Sequence, residues 1–289
     1  GCGVDGPYSP DFDMWKAVQD DIELIDYTFS PDSAKKVLEE GGWIYNSKGE
    51  PYVEGATGVD AVRYKKPTAE EANAKDIFGN DAGNKTYASV ANTDNVVYKT
   101  VEINGEYYMP LAINWFGTTP NTVTDLLNTN LANSSDVAAA GMVIRATTGD
   151  FTTLTGNIYR DASMGYGGTP IYGMFNLATG YNGGVYDESY NWTLDPEYIE
   201  QGMNVQHLYD KELDKLSMDM VYGVEPDDEA TYLDLWEKYI IRWNELLPMV
   251  PLYSNIYVTV YPNTIDNYAE DSFWGFERAI LYANWVGTK

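Results

Sequence analysis

Asp234 to Asn255, DLWEKYIIRWNELLPMVPLYSN, is the stretch whose reading decides the fold. Leu233, Trp236, Ile240, Trp243 and Leu247 recur at spacings of three and four, which places one wide apolar stripe on a helix. Asp234 and Lys238 fall on its wet side, and Asp227 is a candidate cap. Burying the five apolar side chains contributes about 8 to 15 kcal/mol as an upper figure. Pro248 cannot continue a helix and excludes Leu247 from the right-handed helical region, so the chain must turn there. It re-emerges as VPLYSNIYVTVY, where Ile256, Val258 and Val260 alternate with Tyr257, Thr259 and Tyr261 as on a strand with unlike faces.

Working outward, Asp13 to Ile25 reads as a short helix. Ser30 offers an N-cap and Pro31 a first helical position; Ala34, Val37 and Leu38 predict a buried face, and Gly41 and Gly42 a stop. Residues 43–101 mix Gly, Lys, Asn and Asp with short apolar pieces and predict an irregular insertion, with a hairpin around Ser47 to Glu50. From Glu106, alternating Met109, Leu111, Ile113 and Trp115 predict a half-buried strand. A Thr119 cap, Pro120 and a helix carrying Val123, Leu126, Leu127 and Leu131 follow. Gly141 to Ala146 reads as a second strand, Asp150 to Tyr159 as a helix, and Tyr172 to Ala178 as a third strand. Short crossovers of this kind imply parallel strands, so the fold class is α/β with a parallel β-α-β-α-β core. The third strand leads into TGYNGGVYDESYNW, Thr179 to Trp192. Ligands of open α/β sheets sit outside the carboxyl ends of strands, where this loop begins. FWGFERAILYANW, Phe273 to Trp285, is a last apolar stretch.

The 289 residues are 44% hydrophobic, enough for a sizeable core, and contain no run of eighteen apolar residues. The beginning of the sequence has no basic-apolar-small pattern, which predicts that any targeting segment has been removed. A net charge of -26 argues against nucleic-acid partners and against anionic lipid surfaces. It favours cationic ligands, within the reach that salt allows. The 25 Tyr and 8 Trp suit flat or amphipathic ligands, and equally a large aromatic core.

Catalysis has little to work with. His207 is the only histidine, no G-x-S-x-G elbow is present, and the single Cys2 lies far from it in sequence. One His and one Cys do not make a zinc site, and the D-x-D-x-D-G spacing of a calcium loop is absent. Carboxylate pairs able to serve a glycosidase exist in any acidic sequence and single out no residue. The expectation is a binding protein without enzymatic activity, cofactor or metal.

Several segments together resemble the extracytoplasmic solute-binding proteins of peptide-type (oligopeptide and dipeptide, family 5) ABC importers. They are SPDSAKKVLEEGGW (Ser30 to Trp43), YYMPLAIN (Tyr107 to Asn114), NVQHLYDKELDKL (Asn204 to Leu216) and LLPMVPLYSN before the last strand, in the family's order. The resemblance implies one lobe of a two-lobed periplasmic-binding-protein-like fold. Residues 1–262 would form the C-terminal lobe, and residues 263–289 a tail returning to an N-terminal lobe outside this sequence, with its apolar residues exposed or repacked. It implies an oligopeptide or similar small solute as ligand, a membrane permease as partner, and a place outside the cytoplasm, periplasmic or lipid-anchored at the outer face of a bacterial membrane. Cys2 as the lipid-bearing residue is set against its reading as an ordinary strand residue.

Proteins of this type hold a peptide's amino group with an acidic side chain beside a glycine-tryptophan pair. Here the pair reads Gly180 and Tyr181, the next residues are Asn182, Gly183 and Gly184, and Asp187 and Glu188 come only later, leaving Asp187 as the best substitute. The candidate ligand-binding residues are therefore Tyr181, Asn182, Asp187, Tyr190 and Trp192, with Tyr253 and Asn255 placed near the cleft by the resemblance. A carbohydrate-binding relative or carbohydrate-active module is the alternative, since the same aromatic loop could serve sugars. An adhesion scaffold using exposed aromatics is a third class.

Overall fold

Phe12 leads into helix α1, Asp13–Val18, which stops well short of the predicted Ile25. The backbone groups of Ile25 are taken instead by Asn244, whose side-chain oxygen accepts from Ile25 N at 2.8 Å and whose amide donates to Ile25 O at 3.4 Å. The computed structural model describes residues 2–68, 101–165, 171–181, 186–255, 258–270 and 274–287. These fall into two compact units, one of Gly1–Asp26 with Thr179–Lys289 and the other of Tyr27–Ala178.

The second unit opens with α2, Pro31–Glu40, where Ser30 Oγ accepts from Ser33 N at 3.2 Å and Pro31 takes the first position, as predicted. The predicted burial does not follow: Ala34 and Val37 are exposed and Leu38 is half-buried. This helix is held by polar tethers, Lys35 to Glu54 and Glu39 to Arg63 at 3.2 Å, so its apolar face is left in solvent. The predicted hairpin forms: Tyr45 pairs with Pro51, and Asn46 Oδ1 accepts from Lys48 N at 2.9 Å and Glu50 N at 3.1 Å. Residues 69–100 of the predicted insertion lie outside the described residues.

Strands β1 (Tyr64–Lys65), β2 (Val101–Ile103) and β3 (Glu106–Pro110) form an antiparallel sheet in the order β1-β3-β2. The single strand expected from the alternation of Met109 to Trp115 is in fact two, because β4 (Ala112–Thr118) belongs to another sheet. Leu111 is the exchange point. Its N–H donates to Arg63 O at 2.8 Å in one direction, and its carbonyl accepts from Val143 N at 3.0 Å in the other. An alternating pattern cannot register this, since both strands keep the same period.

Helix α3, Thr122–Leu127, is capped by Asn121, not by Thr119: Asn121 Oδ1 reaches Val123 N at 2.9 Å and Thr124 N at 3.3 Å. A π-type turn over Asn128–Ala132 follows, and then α4, Ser135–Ala139. Leu126 projects into solvent while Thr124 is buried. Strand β5 covers Val143–Gly149, α5 covers Phe151–Ile158 with Asp150 Oδ1 accepting from Thr153 N at 2.7 Å, and β6 covers Met174–Phe175. The three strands are parallel in the order β5-β4-β6, with Ala112 opposite Val143 and Trp115 opposite Met174. The predicted parallel core is therefore present, with β6 shorter than Tyr172 to Ala178. Asn176 ends it by turning inward, where its oxygen accepts from Trp115 Nε1 at 3.2 Å and its amide donates to Thr124 Oγ1 at 3.0 Å. Gly117 lies under this knot, and a Cβ there would meet Thr124 Cγ2 at 2.6 Å and Asn176 Oδ1 at 2.7 Å. Gly117→Ala is expected to cost about 1 to 3 kcal/mol through overpacking, read from the urea unfolding midpoint.

The first unit continues with α6 (Ser189–Trp192), α7 (Pro196–Glu200), α8 (Lys211–Tyr222) and α9 (Glu229–Leu246). The long helix α9 is the one the sequence predicts, but its cap is Asp228, which accepts from Thr231 N at 3.1 Å, and not Asp227. Trp236, Ile240 and Trp243 are buried, and Leu233 and Leu247 half-buried; Leu247 ends the helix in the left-handed region at φ 43° ahead of Pro248. Tyr239, absent from the predicted stripe, is as buried as its neighbours. Tyr8, Phe12, Tyr186, Trp192, Leu213, Leu216 and Met220 close on this face to make one core. Arg242 on the rim of α9 fastens α8 by donating to Asp210 Oδ2 at 2.6 Å and Oδ1 at 3.2 Å.

The strand expected after Pro251 is not found among the described residues. Ser254 makes an isolated bridge to Cys2, Ile256 and Tyr257 lie outside the described residues, and Val258 and Val260 are 81% and 89% exposed. Alternation specifies a strand only where a neighbour supplies the ladder and a core covers one face, and no described segment does either here. Strands β7 (Ile265–Asp266) and β8 (Asn284–Trp285) pair antiparallel around α10 (Phe276–Tyr282). Ala279 of α10 is buried while Phe276, Leu281 and Trp285 are exposed.

Candidate functional site

Tyr181 and the segment from Tyr186 to Trp192 rest on aromatic side chains. Tyr181 meets Phe12 edge-on with ring centres 5.8 Å apart and stacks on Tyr186 at 6.2 Å. Tyr186 is buried, donates its hydroxyl to Pro7 O at 2.8 Å and meets Tyr239 edge-on at 6.0 Å. Trp192, 1% exposed, donates Nε1–H to Tyr239 Oη at 2.7 Å. Burial first, and the charge of Glu188 among lesser causes, pushes the hydroxyls of Tyr181, Tyr186 and Tyr239 above the usual tyrosine range. All three are neutral hydrogen-bonding groups at any physiological pH.

Two carboxylates sit on this platform in opposite environments. Asp187 is exposed, and its Oδ1 accepts from Ser189 N at 3.0 Å and Ser189 Oγ at 2.6 Å, an Asx turn that starts α6. Glu188 is 8% exposed and accepts a hydrogen bond from Asn191 Nδ2. Burial pushes its carboxyl up to about 7, the adjacent Asp187 adding to the rise and the Asn191 bond opposing it. Chemically the turn offers an exposed carboxylate for a cationic group, flanked by Tyr190, which is 49% exposed. Among the described residues no group of His, Cys, Asp or Glu could hold a metal ion. His207 is exposed and its Nδ1 lies 2.8 Å from Tyr209 Oη.

Of the candidate residues, the structure brings Tyr181 near Tyr190, and Asp187 lies beside Glu188 just ahead of α6. Trp192 turns into the core and presents almost no surface. Asn182 lies outside the described residues. Tyr253 and Asn255 are exposed on the segment tethered to Cys2 through Ser254. Sequence reasoning passed over Glu188 as a buried acid and Tyr239 as the hydroxyl that receives Trp192. Tyr239 follows Trp236 by three residues and was within reach of the helical spacing; nothing in the sequence says that Glu188 and not Asp187 is the one turned inward.

No protein-family model matches the sequence, and a search of curated proteins gives no significant match. Solved structures do match. The oligopeptide-binding protein of Thermus thermophilus, solved with a pentapeptide, aligns over 93% of this chain with a TM-score of 0.58 and 17% identity. The fold is that of part of an oligopeptide-binding protein. AppA of Bacillus subtilis, an oligopeptide-binding protein solved with a nonapeptide, aligns over 100% of the chain with a TM-score of 0.52 and 15% identity. The chain spans 36% and 43% of the length of these two proteins. The mixed α/β architecture expected from the sequence, a parallel core flanked by helices in a lobe of the periplasmic-binding-protein-like fold, is thus the one observed. No described helix is long and apolar enough to cross a membrane.

Proposed function

We propose that this chain is a ligand-capturing lobe of an extracytoplasmic solute-binding protein that delivers oligopeptides or similar solutes to the permease of an ABC importer, without covalent chemistry. The observation that carries the reading is the fold shared along nearly the whole chain with two proteins solved with bound peptides. The reading includes a second lobe that completes the cleft, residues 263–289 reaching back to that lobe, and a place outside the cytoplasm, free or lipid-anchored.

Within the chain, the exposed Asp187 carboxylate compensates the positive charge of a peptide amino terminus, and Tyr181 and Tyr190 flank it. Tyr253 and Asn255, and Asn182 from the same loop, are the further contacts of this reading. A lobe alone leaves one side of a ligand in water, where each hydrogen bond merely replaces one to solvent. The 289-residue chain by itself is therefore expected to bind such a peptide weakly, and the complete protein tightly.

The test is calorimetric titration of the complete protein with one peptide in free and N-acetylated form. Asp187→Asn is expected to weaken the free peptide about tenfold or more, in line with a charged hydrogen bond worth about 1.5 to 3 kcal/mol, and to leave the acetylated form nearly unchanged. Equal losses for both forms would remove Asp187 from the site and favour a neutral solute such as a carbohydrate.

A further inference from the structure

Glu188 occupies a position where an ionised carboxylate is costly. It is 8% exposed, and its one hydrogen bond among the described residues comes from the neutral Asn191 amide. None of the ion pairs among the described residues reaches it. Among the described residues, the titratable groups that face it are Asp187 beside it, Tyr181 and Tyr186 earlier in the sequence, and Tyr239 from α9. Tyr232 of α9 faces Asp187 in turn. From the N-terminal segment, Phe12 meets Tyr181 and Tyr186, and Tyr8 and Val18 complete the same core; the buried residues of α8 are Leu213, Leu216, Ser217 and Met220, none of them charged. A carboxylate in such surroundings is stable as the neutral acid and is driven toward water once ionised.

The residue is also placed to transmit that change. Glu188 immediately precedes α6, its carbonyl accepts from Asn191 N at 3.0 Å, and α6 ends in Trp192, locked to Tyr239. We propose that Glu188 is a proton-operated latch: protonated, it stays packed against the tyrosine wall and holds the Asp187 to Trp192 turn on the core; ionised, it leaves the wall and loosens the turn that presents Asp187 and Tyr190. The latch needs no ligand, so its failure would leave the peptide reading intact, and the failure of that reading would leave the latch intact.

The direction with pH follows from the cause. The Glu188 carboxyl titrates near its ordinary value of 4.5 in the unfolded chain and at about 7 in the folded one, so the folded state holds the proton more tightly. Its contribution to stability is fully present below about pH 4.5, is lost as pH rises toward about 7, and changes no further above that.

Thermal unfolding of the complete protein between pH 5 and 8, beside that of Glu188→Gln, an amide of the same shape as the neutral acid, isolates this one group. The difference in Tm between the two is expected to grow in favour of Glu188→Gln across the interval and to level off above its midpoint. Amide exchange at Asn191, corrected for its intrinsic pH dependence, is expected to quicken over the same interval in the parent and not in Glu188→Gln. Two flanking variants carry the test without altering Glu188. Asp187→Asn removes a like charge and should move the midpoint down, and Asn191→Ala removes the hydrogen bond to the carboxylate and should move it up. Parallel Tm curves for the parent and Glu188→Gln, or a midpoint unmoved in both flanking variants, would overturn the latch.

Discussion

Trp236→Ala is expected to lower the unfolding free energy by about 3 to 5 kcal/mol, a large share of a total that for most domains is about 5 to 15 kcal/mol. The indole is fully buried at the centre of the first unit's core, with Tyr8 edge-on at 5.6 Å and Trp15 at 6.4 Å. Tyr8 and Trp15 are themselves stacked at 4.5 Å, so these three rings tie the N-terminal segment to α9. The indole N–H has no hydrogen-bond partner among the described residues, so the loss is almost wholly one of packing. Trp236→Phe, which keeps most of the ring, should recover a substantial part of it. Denaturant unfolding followed by tryptophan fluorescence checks both variants, and a loss below about 1 kcal/mol for alanine would show that α9 does not organise this core.

Arg63→Ala is the counterpart in the second unit and is expected to cost about 2 to 6 kcal/mol, from two backbone carbonyls that lose their donors at about 1 to 3 kcal/mol each. The guanidinium is 2% exposed and joins three parts of the unit. Nε donates to Ala140 O at 2.9 Å, Nη1 to Trp43 O at 3.1 Å and Nη2 to Glu39 Oε1 at 3.2 Å, while the group lies 4.2 Å over the ring of Tyr52. Truncation leaves two backbone carbonyls without partners and strips the cation from the aromatic face. Gly141, at φ +84°, leaves room for the side chain, since a Cβ there would stand 2.5 Å from Arg63 Cγ. Arg63→Lys keeps the charge but cannot supply three directed donors from one plane, so it should lose most of the same stability. Hydrogen exchange of the Leu111 and Val143 amides, whose bonds sit beside this arginine, reports the loss locally.

What the sequence made legible follows from where the physics is local. The α9 stripe is written in side chains that all face one way, so helical spacing alone places Trp236, Ile240 and Trp243 in the core. The cap at Ser30 is equally local, because a side-chain oxygen and an amide three residues on need nothing else. The passage of Leu111 from one sheet to the other depends on Arg63 and Val143, both remote in sequence, and so leaves no local trace. The exposed Val258 and Val260 show the converse: a perfect alternation without a partner strand among the described residues remains a pattern only. At the candidate site, the family resemblance brings Tyr181 and Asp187 to notice, and the aromatic loop after the third strand brings Tyr190. The opposite fates of Asp187 and Glu188, and the inward turn of Trp192, depend on the wall that Tyr186 and Tyr239 build. Neighbouring residues of similar polarity are separated there by a tertiary surface that the sequence does not spell out.

The most direct measurement of the proposed function is the thermal unfolding of the complete protein in the presence of defined oligopeptides and, separately, of oligosaccharides. A peptide held in the cleft and present at about 100 times its Kd should add about 2.7 kcal/mol to the unfolding free energy, with a matching rise in Tm, while the sugars leave it unchanged. Stabilisation by oligosaccharides with none by any peptide would contradict the reading.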